Sequence, residues 1–278
     1  MTGILTAPAR DTLKQRYRWL GTSLAGITYA FLILPSLVVI PISFGGRTSM
    51  GFPPETLSLD LYRDFFMTAT WREPLLQSLK IAVATTVVTI IVAVPAAYAL
   101  VRFNFVGKRL LTMLIMSAVF VPVIVIALGL YLYFGRVGLS GSNIGLVLGH
   151  TVYVTPFVML TIAAGVKQLD PTLEFAATMM GAKRVTLFTR VVLPQLGPSV
   201  LAGALFAFLI SFDEVVIAWF LTSATTVTLP VRMYSSIQWD LSPVIAAISV
   251  LLTVLSFAVC LISVALQPSA ARDAQIAP

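Results

Sequence analysis

Residues 170–194 read DPTLEFAATMMGAKRVTLFTRVVLP and separate two long apolar runs. Asp170 can cap a helix with Pro171 at its first position, and Gly181 permits a sharp turn after that helix. A second short helix then opens at Lys183. We therefore predict two short helices that lie along a membrane surface and present small, apolar side chains for close packing against another protein.

The composition is that of a helical membrane protein. The 278 residues are 58% hydrophobic and 10% charged, with a mean hydropathy of +0.97, whereas soluble domains carry about 25% charged residues. The net charge of +7 is spread among the polar segments and forms no basic stripe for nucleic acid. The one cysteine, Cys260, excludes an intrachain disulfide. We expect the one histidine, His150, to be structural, because no His, Cys or carboxylate lies within ten residues of it.

Six apolar runs predict six transmembrane helices. They are residues 20–44, 78–101, 110–134, 144–166, 199–221 and 242–266. The third run contains Pro122, and Pro156 is expected to weaken the fourth as a straight helix. Such breaks are tolerated where helices pack together or line a cavity.

The distribution of basic residues predicts the orientation. If both termini face the cytoplasm, 12 of the 18 Lys and Arg residues lie on the cytoplasmic side, as the positive-inside rule requires. The chain would then comprise a cytoplasmic N-terminal segment at 1–19, a six-helix membrane domain at 20–266 and a cytoplasmic tail at 267–278. The loop at 167–197 would also be cytoplasmic.

Two connections between the predicted helices are long. Residues 45–77 contain an amphipathic piece at 59–66, which is a surface helix with Phe65 and Phe66 in lipid, a docking surface for a partner outside the membrane, or both. Residues 222–241 are predicted to form a polar loop.

The 170–194 stretch resembles the cytoplasmic EAA loop of membrane-spanning subunits of ABC importers. That pattern is Glu-Ala-Ala, three residues, Gly, nine residues, an aliphatic residue, any residue and Leu-Pro. Ala176, Ala177, Gly181 and residues 191–194 fall at those spacings, whereas the motif acid falls on Phe175 and Glu174 lies one place earlier. The resemblance implies an all-α, six-helix type I importer permease fold with a cytoplasmic coupling helix that sits in a groove of an ATP-binding subunit. Its contact residues would be Glu174, Phe175, Ala176, Ala177, Gly181, Ala182 and Lys183.

The chain carries no Walker A pattern, GxxxxGK[ST], which cradles nucleotide phosphates. If transport is ATP-driven, ATP must therefore be bound by separate subunits. We expect this chain to hold no cofactor and to perform no covalent chemistry.

Two adjacent acids, Asp213 and Glu214, lie inside the fifth apolar run. Each would cost about 2.5–3.5 kcal/mol if it faced lipid. On a continuous helix the two would point about 100° apart, so one could face a solute pathway and the other a neighbouring helix. The alternatives are an electrostatic attractor for a cationic solute, an interhelical polar lock, and pairing with a basic residue of a partner subunit.

Residues 211–221, SFDEVVIAWFL, followed by TLP at 228–230, resemble the second permease subunit of spermidine/putrescine-type importers. The resemblance implies two ATP-binding subunits, a second permease and a periplasmic or extracellular solute-binding protein, assembled in the bacterial inner membrane. It also implies a small cationic solute such as spermidine or putrescine, with an amino acid or an opine-like compound as the alternative.

Residues that would line the pathway are Asp213, Glu214, Trp219, Tyr234 and Trp239. The three aromatic residues form either a belt at the membrane interface or a wall that attracts a cation. Two alternatives come from other classes. An ion-coupled secondary carrier that uses the two acids leaves the EAA-like loop unexplained, and an intramembrane enzyme would need a nucleophile with a matched base, which the sequence does not show.

Overall fold

The computed structural model of the protein describes residues 7–48 and 50–265, and within these ranges all regular structure is helical. The predicted tail at 267–278 and the first six residues lie outside the described residues. The helices, in chain order, are α1 (Ala7–Ser43), α2 (Asp60–Met67), α3 (Ala69–Arg102), α4 (Lys108–Phe120), α5 (Val123–Val137), α6 (Asn143–Gln168), α7 (Pro171–Met179), α8 (Arg184–Leu187), a π-helical turn (Phe188–Val192), α9 (Leu193–Gln195), α10 (Gly197–Phe212), α11 (Val216–Leu221), α12 (Leu229–Trp239) and α13 (Val244–Ala265).

The chain divides into two compact units. The first contains α1, α2 and the part of α13 up to Thr253, and the second contains α3 to α12 with the rest of α13. In the described residues four helices are long and apolar enough to cross a membrane, and the number rises to six if two bent helix pairs each count as one span.

In the first unit, α1 begins before the predicted span and contains a candidate span at Gly21–Ser43. Next to its end, the Ser43 and Tyr62 hydroxyl oxygens lie 2.7 Å apart. The Arg47 guanidinium donates two hydrogen bonds to the Asp64 carboxylate, at 2.7 and 2.8 Å. These contacts fix α2 against the segment that leaves α1.

The amphipathic piece predicted at 59–66 is confirmed as α2, but the placement of Phe65 in lipid is wrong. Phe65 is 3% exposed and Phe66 is 48% exposed. Leu61 and Phe65 are four residues apart, so both fall on the buried face of the helix.

The core of the second unit forms where α3, α6 and α10 pack against each other. Small residues let the helices approach closely, as is usual in membrane bundles. The buried residues of this core include Ala93, Ala97, Val158, Ile162 and Ala207. On α6, Gly149 faces α11: a Cβ atom there would lie 2.6 Å from Leu221 Cδ1 and 3.2 Å from Ile217 Cγ2.

The third predicted span, 110–134, is not one straight helix. It is divided into α4 and α5, whose axes differ by 108°. Pro122 has no N–H to donate and disfavours helical geometry in the residue before it, and Val121 is extended (φ −77°, ψ 128°). The fourth span behaves differently, since α6 continues through Pro156 without a break.

The fifth predicted span, 199–221, is also broken, because α10 ends at Phe212 and α11 begins at Val216. The expectation that Asp213 and Glu214 lie on one continuous helix is therefore wrong. The segment predicted as a polar loop at 222–241 contains a helix, α12, which begins with Pro230 in its first turn.

We expect Gly149→Val to destabilise the protein, because its side chain would overlap Leu221 and Ile217 of α11. Overpacking of this kind costs about 1–3 kcal/mol, which should lower the midpoint of thermal unfolding in detergent. Gly129→Val on α5 is the matched control, since nothing lies within 4 Å of a Cβ at that position. Equal midpoints for the two variants would contradict the close approach of α6 and α11.

Candidate functional site

The 170–194 loop adopts the predicted local structure at its start. The Asp170 side chain accepts a hydrogen bond from the Thr172 N–H at 2.9 Å and caps α7, with Pro171 at the first helical position. This hydrogen bond lowers the pKa of the Asp170 carboxyl below its usual value. Gly181, with φ +84°, turns the chain after α7, in a conformation that favours glycine.

The second half of the loop is more continuous than predicted. The second short helix, α8, begins at Arg184, directly after Lys183, and the chain then runs through the π-helical turn into α9. It bends by 75° before α10 begins. The second short helix therefore leads directly into the fifth span.

The residues predicted to contact an ATP-binding subunit face in different directions. Phe175 is 67% exposed, and Met179 and Met180, which the predicted contact set omits, are 72% and 83% exposed. The exposed members of the predicted set are Phe175, Ala176, Gly181 and Lys183, while Ala182 is half-buried. Ala177 is 5% exposed and packs against the chain itself.

Glu174 also faces its own chain. Its Oε1 lies 2.8 Å from Arg102 Nε, and its Oε2 accepts a hydrogen bond from the Tyr98 hydroxyl at 2.7 Å. Arg102 Nη2 donates to the Leu169 carbonyl at 2.9 Å. The Glu174 and Arg102 side chains are only 14% and 18% exposed. Tyr98 and Arg102 were not predicted as site residues, because they lie some seventy residues away in sequence.

Aromatic rings complete this attachment to α3. The Tyr98 ring centroid lies 5.3 Å from that of Phe188 in the π-helical turn and 5.6 Å from that of Phe103. The Arg184 guanidinium lies 5.9 Å from the centre of the Phe103 ring. Both halves of the 170–194 loop therefore contact the last turns of α3.

The two acids of the fifth span have different environments because the helix breaks between them and α11. Asp213 ends α10 and its side chain is exposed. Glu214 is 7% exposed, and its two carboxylate oxygens accept hydrogen bonds from the Val216 and Ala218 N–H groups, both at 2.9 Å. Glu214 thus satisfies the free N–H groups at the start of α11.

His150 is buried beside this break. Its Nδ1 lies 2.9 Å from the Ser211 hydroxyl oxygen, and its Nε2 lies 3.8 Å from Glu214 Oε2. A carboxylate is therefore next to His150 in space, although none is near it in sequence. In the described part of the chain no group of three His, Cys, Asp or Glu residues could hold a metal ion.

Two apolar clusters flank His150, Ser211 and Glu214 along α6 and the fifth span. One cluster includes Leu146 and Ile217, and the other includes Val154 and Ala207. His150 therefore lies between the two clusters on α6, and the break lies between them on the fifth span. A carboxylate without hydrogen-bond donors would be costly here, which explains why both oxygens of Glu214 accept backbone hydrogen bonds.

The aromatic pathway candidates separate into a pair and an outlying residue. The Trp219 and Tyr234 rings meet edge to face with centroids 5.0 Å apart, and the two residues are 42% and 43% exposed. Trp239 is 85% exposed at the end of α12.

A cation–π contact that was not predicted joins α12 to α3. The Arg232 guanidinium of α12 lies 5.4 Å from the centre of the Trp71 ring of α3.

Comparison with known proteins agrees with this geometry. Residues 86–272 match the family described as binding-protein-dependent transport system inner membrane component. The spermidine/putrescine transport system permease protein PotC of Haemophilus influenzae is 30% identical over 85% of this chain and 92% of its own. The trehalose transport system permease protein SugB of Mycobacterium tuberculosis is 27% identical over 74% of this chain and 77% of its own.

A solved structure supports the fold. A bacterial ABC transporter involved in the import of the acidic polysaccharide alginate aligns with a TM-score of 0.75 and 17% identity, over 94% of this chain and 98% of that chain. The predicted all-α permease fold is thus confirmed, and the family is one of transport components instead of enzymes. The chain belongs to the binding-protein-dependent inner membrane components, as a permease subunit of an ABC importer.

Proposed function

We propose that this chain forms half of the translocation pathway for a small cationic solute, spermidine or putrescine. The observation that carries the proposal is the separation of the two acids at the break in the fifth span. Glu214 is turned back onto α11, which leaves the exposed Asp213 as the carboxylate available to a cation.

Two further features support a cationic solute. The exposed Trp219–Tyr234 pair offers aromatic faces to which amines are attracted. The relative named for spermidine/putrescine transport aligns over 85% of this chain at 30% identity, and the one named for trehalose transport aligns over 74% at 27% identity. Because the trehalose relative belongs to the same family, family membership alone does not select the solute, and the amino-acid or opine-like alternative is an outcome of the test below.

The proposed complex contains two ATP-binding subunits, a second permease and a periplasmic or extracellular solute-binding protein. We expect ATP to be bound by the partner subunits, because the sequence carries no Walker A pattern. The exposed side of α7, with Phe175, Met179 and Met180, supports a docking role for the 170–194 loop. The excess of basic residues on the same side as the loop supports an inner-membrane orientation with both termini in the cytoplasm.

In the mechanism that follows, ATP closes the two ATP-binding subunits and the 170–194 loop passes their movement to the membrane helices. The cavity between the two permeases then opens outward to receive solute from the binding protein. Hydrolysis of ATP returns the cavity to its inward-facing state.

The first experiment is to purify the chain with its partners from the host membrane and identify them by mass. We expect an ATP-binding subunit and a second permease, and ATPase activity that rises when spermidine-loaded binding protein is added. Stimulation by an amino acid but not by spermidine or putrescine would contradict the cationic polyamine assignment. A chain that purifies alone and transports solute without ATP would contradict the importer complex.

Asp213→Asn should lower spermidine uptake into proteoliposomes about tenfold, the effect of losing roughly 1.4 kcal/mol of interaction with the solute. The thermal midpoint should stay close to that of the wild type, because Asp213 is exposed. Glu214→Gln is the paired variant: it weakens the cap of α11 and the contact with His150, so it should lower the thermal midpoint. Normal spermidine uptake by Asp213→Asn would contradict the pathway role of Asp213.

Gly181→Arg should remove the solute-stimulated part of the ATPase activity while the chain still inserts into the membrane. Two effects are expected. A side chain at the positive φ of Gly181 strains the turn that orients α7, and the arginine side chain itself would project from the docking surface. Gly107→Arg is a matched control: Gly107 has φ +86°, and nothing lies within 4 Å of its Cβ position, as at Gly181. Equal losses in the two variants would attribute the effect to general strain and not to docking.

A further inference from the structure

We infer that Glu174 is a positioning residue that acts inside this chain: with Arg102 and Tyr98 it fastens the 170–194 loop to α3, so that movement of the loop is passed directly to that helix. The inference rests on the proposed coupling function of the loop. It assigns to Glu174 a contact within the permease in place of a contact with the ATP-binding subunit.

Both carboxylate oxygens of Glu174 point toward α3. Oε1 of Glu174 faces Arg102 Nε at 2.8 Å, and Oε2 faces the Tyr98 hydroxyl at 2.7 Å. Both oxygens are therefore engaged by α3, and the side chain is 14% exposed. The next residue, Phe175, lies about 100° further around the helix and is 67% exposed. The loop thus has a polar side toward α3 and an apolar side toward solvent.

Arg102, the last residue of α3, contacts both α7 and the segment that precedes it. Its guanidinium lies against Glu174 and also donates to the Leu169 carbonyl in the connection between α6 and α7. One side chain at the end of α3 therefore holds both the connection and the first turns of α7. If Glu174 turned away to meet a partner protein, the Arg102 charge would lose its counter-ion in a site that is 18% exposed, which is unfavourable.

Tyr98 of α3 contacts both halves of the 170–194 loop. Its hydroxyl bonds to Glu174 of α7, while its ring packs against Phe188 in the π-helical turn that leads to α10. Tyr98 is 6% exposed, so it is held firmly between the two halves of the loop. Displacement of either half must therefore move the end of α3.

The length and packing of α3 suit it to transmit a movement of the loop to other membrane helices. It has 34 residues, about 51 Å of helix, which is enough to cross the bilayer. It also packs against α6 and α10 in the core of the second unit. The helix is held at one end by the loop and packs along its length against two spans. It can therefore pass on a movement of the loop more directly than the backbone connections from the loop to α6 and α10 can.

The test uses the complete complex, with this chain, its co-purified partners and spermidine-loaded binding protein, in proteoliposomes. The variants are Glu174→Gln, Arg102→Gln, Tyr98→Phe and the double variant Glu174→Gln/Arg102→Gln. Glu73→Gln, which changes an exposed residue near the start of α3, is the matched control for loss of one carboxylate charge. Two quantities are measured: the amount of ATP-binding subunit that stays with the chain, and the ratio of solute-stimulated to basal ATPase activity.

We expect the ATP-binding subunit to stay bound in Glu174→Gln and the stimulation ratio to fall at least about fivefold, the lower end of typical coupling effects. The double variant should fall no further than the single variants, because residues that act as one unit are not additive. Tyr98→Phe should reproduce part of the loss. Since it removes only one hydroxyl, it keeps the test informative if Glu174→Gln folds poorly.

Three results would overturn the inference. Loss of the ATP-binding subunit in Glu174→Gln would show that Glu174 contacts that subunit directly. Multiplicative losses in the double variant would show that Glu174 and Arg102 act separately. A stimulation ratio in Glu174→Gln equal to that of Glu73→Gln would show no coupling role. A wild-type complex without an ATP-binding subunit or without stimulation contradicts the proposed function itself, and therefore differs from all three.

Discussion

A charged side chain in apolar surroundings must be paired, and this constraint shapes both candidate sites of the permease. Glu214 lies between two apolar clusters, where an unpaired carboxylate would be costly. Its two oxygens accept hydrogen bonds from the Val216 and Ala218 N–H groups, which a helix break sets free. The break supplies the donors that the acid needs, and the acid caps the helix that the break creates.

The same constraint acts where α3 meets the 170–194 loop. Arg102 and Glu174 are mostly buried and are paired with each other, with Tyr98 and the Leu169 carbonyl completing the polar contacts. Buried ion pairs and hydrogen bonds hold a more specific geometry than apolar contacts do. The 170–194 loop is therefore attached to α3 by an ion pair on one side and is apolar on the other, where Phe175 and Met179 are exposed, an arrangement that suits the proposed coupling role.

The sequence predicted features that depend on local chemistry and missed those that depend on distant contacts. The Asp170 cap, Pro171 and the turn at Gly181 follow from the residues themselves, and the structure has all three. The break after Phe212 was not predicted, because SFDEVVIAWFL reads as one apolar run and its cap depends on backbone groups that only the break exposes. Tyr98 and Arg102 are far from Glu174 in sequence, so only the packing of α3 brings them together. Phe65 was misplaced because exposure of an aromatic residue on a short amphipathic helix depends on which face is covered.

The attachment of the loop to α3 also affects how a complex of such subunits would assemble. The Asp170 cap, the Gly181 turn and the Arg102–Glu174 pair already fix the shape of the loop within the chain alone. Little conformational entropy is then left to lose when a partner binds, which raises affinity without any additional contact. Assembly would be limited by the encounter of two preformed surfaces and their orientation in the membrane, and subunits could dissociate and re-associate without refolding.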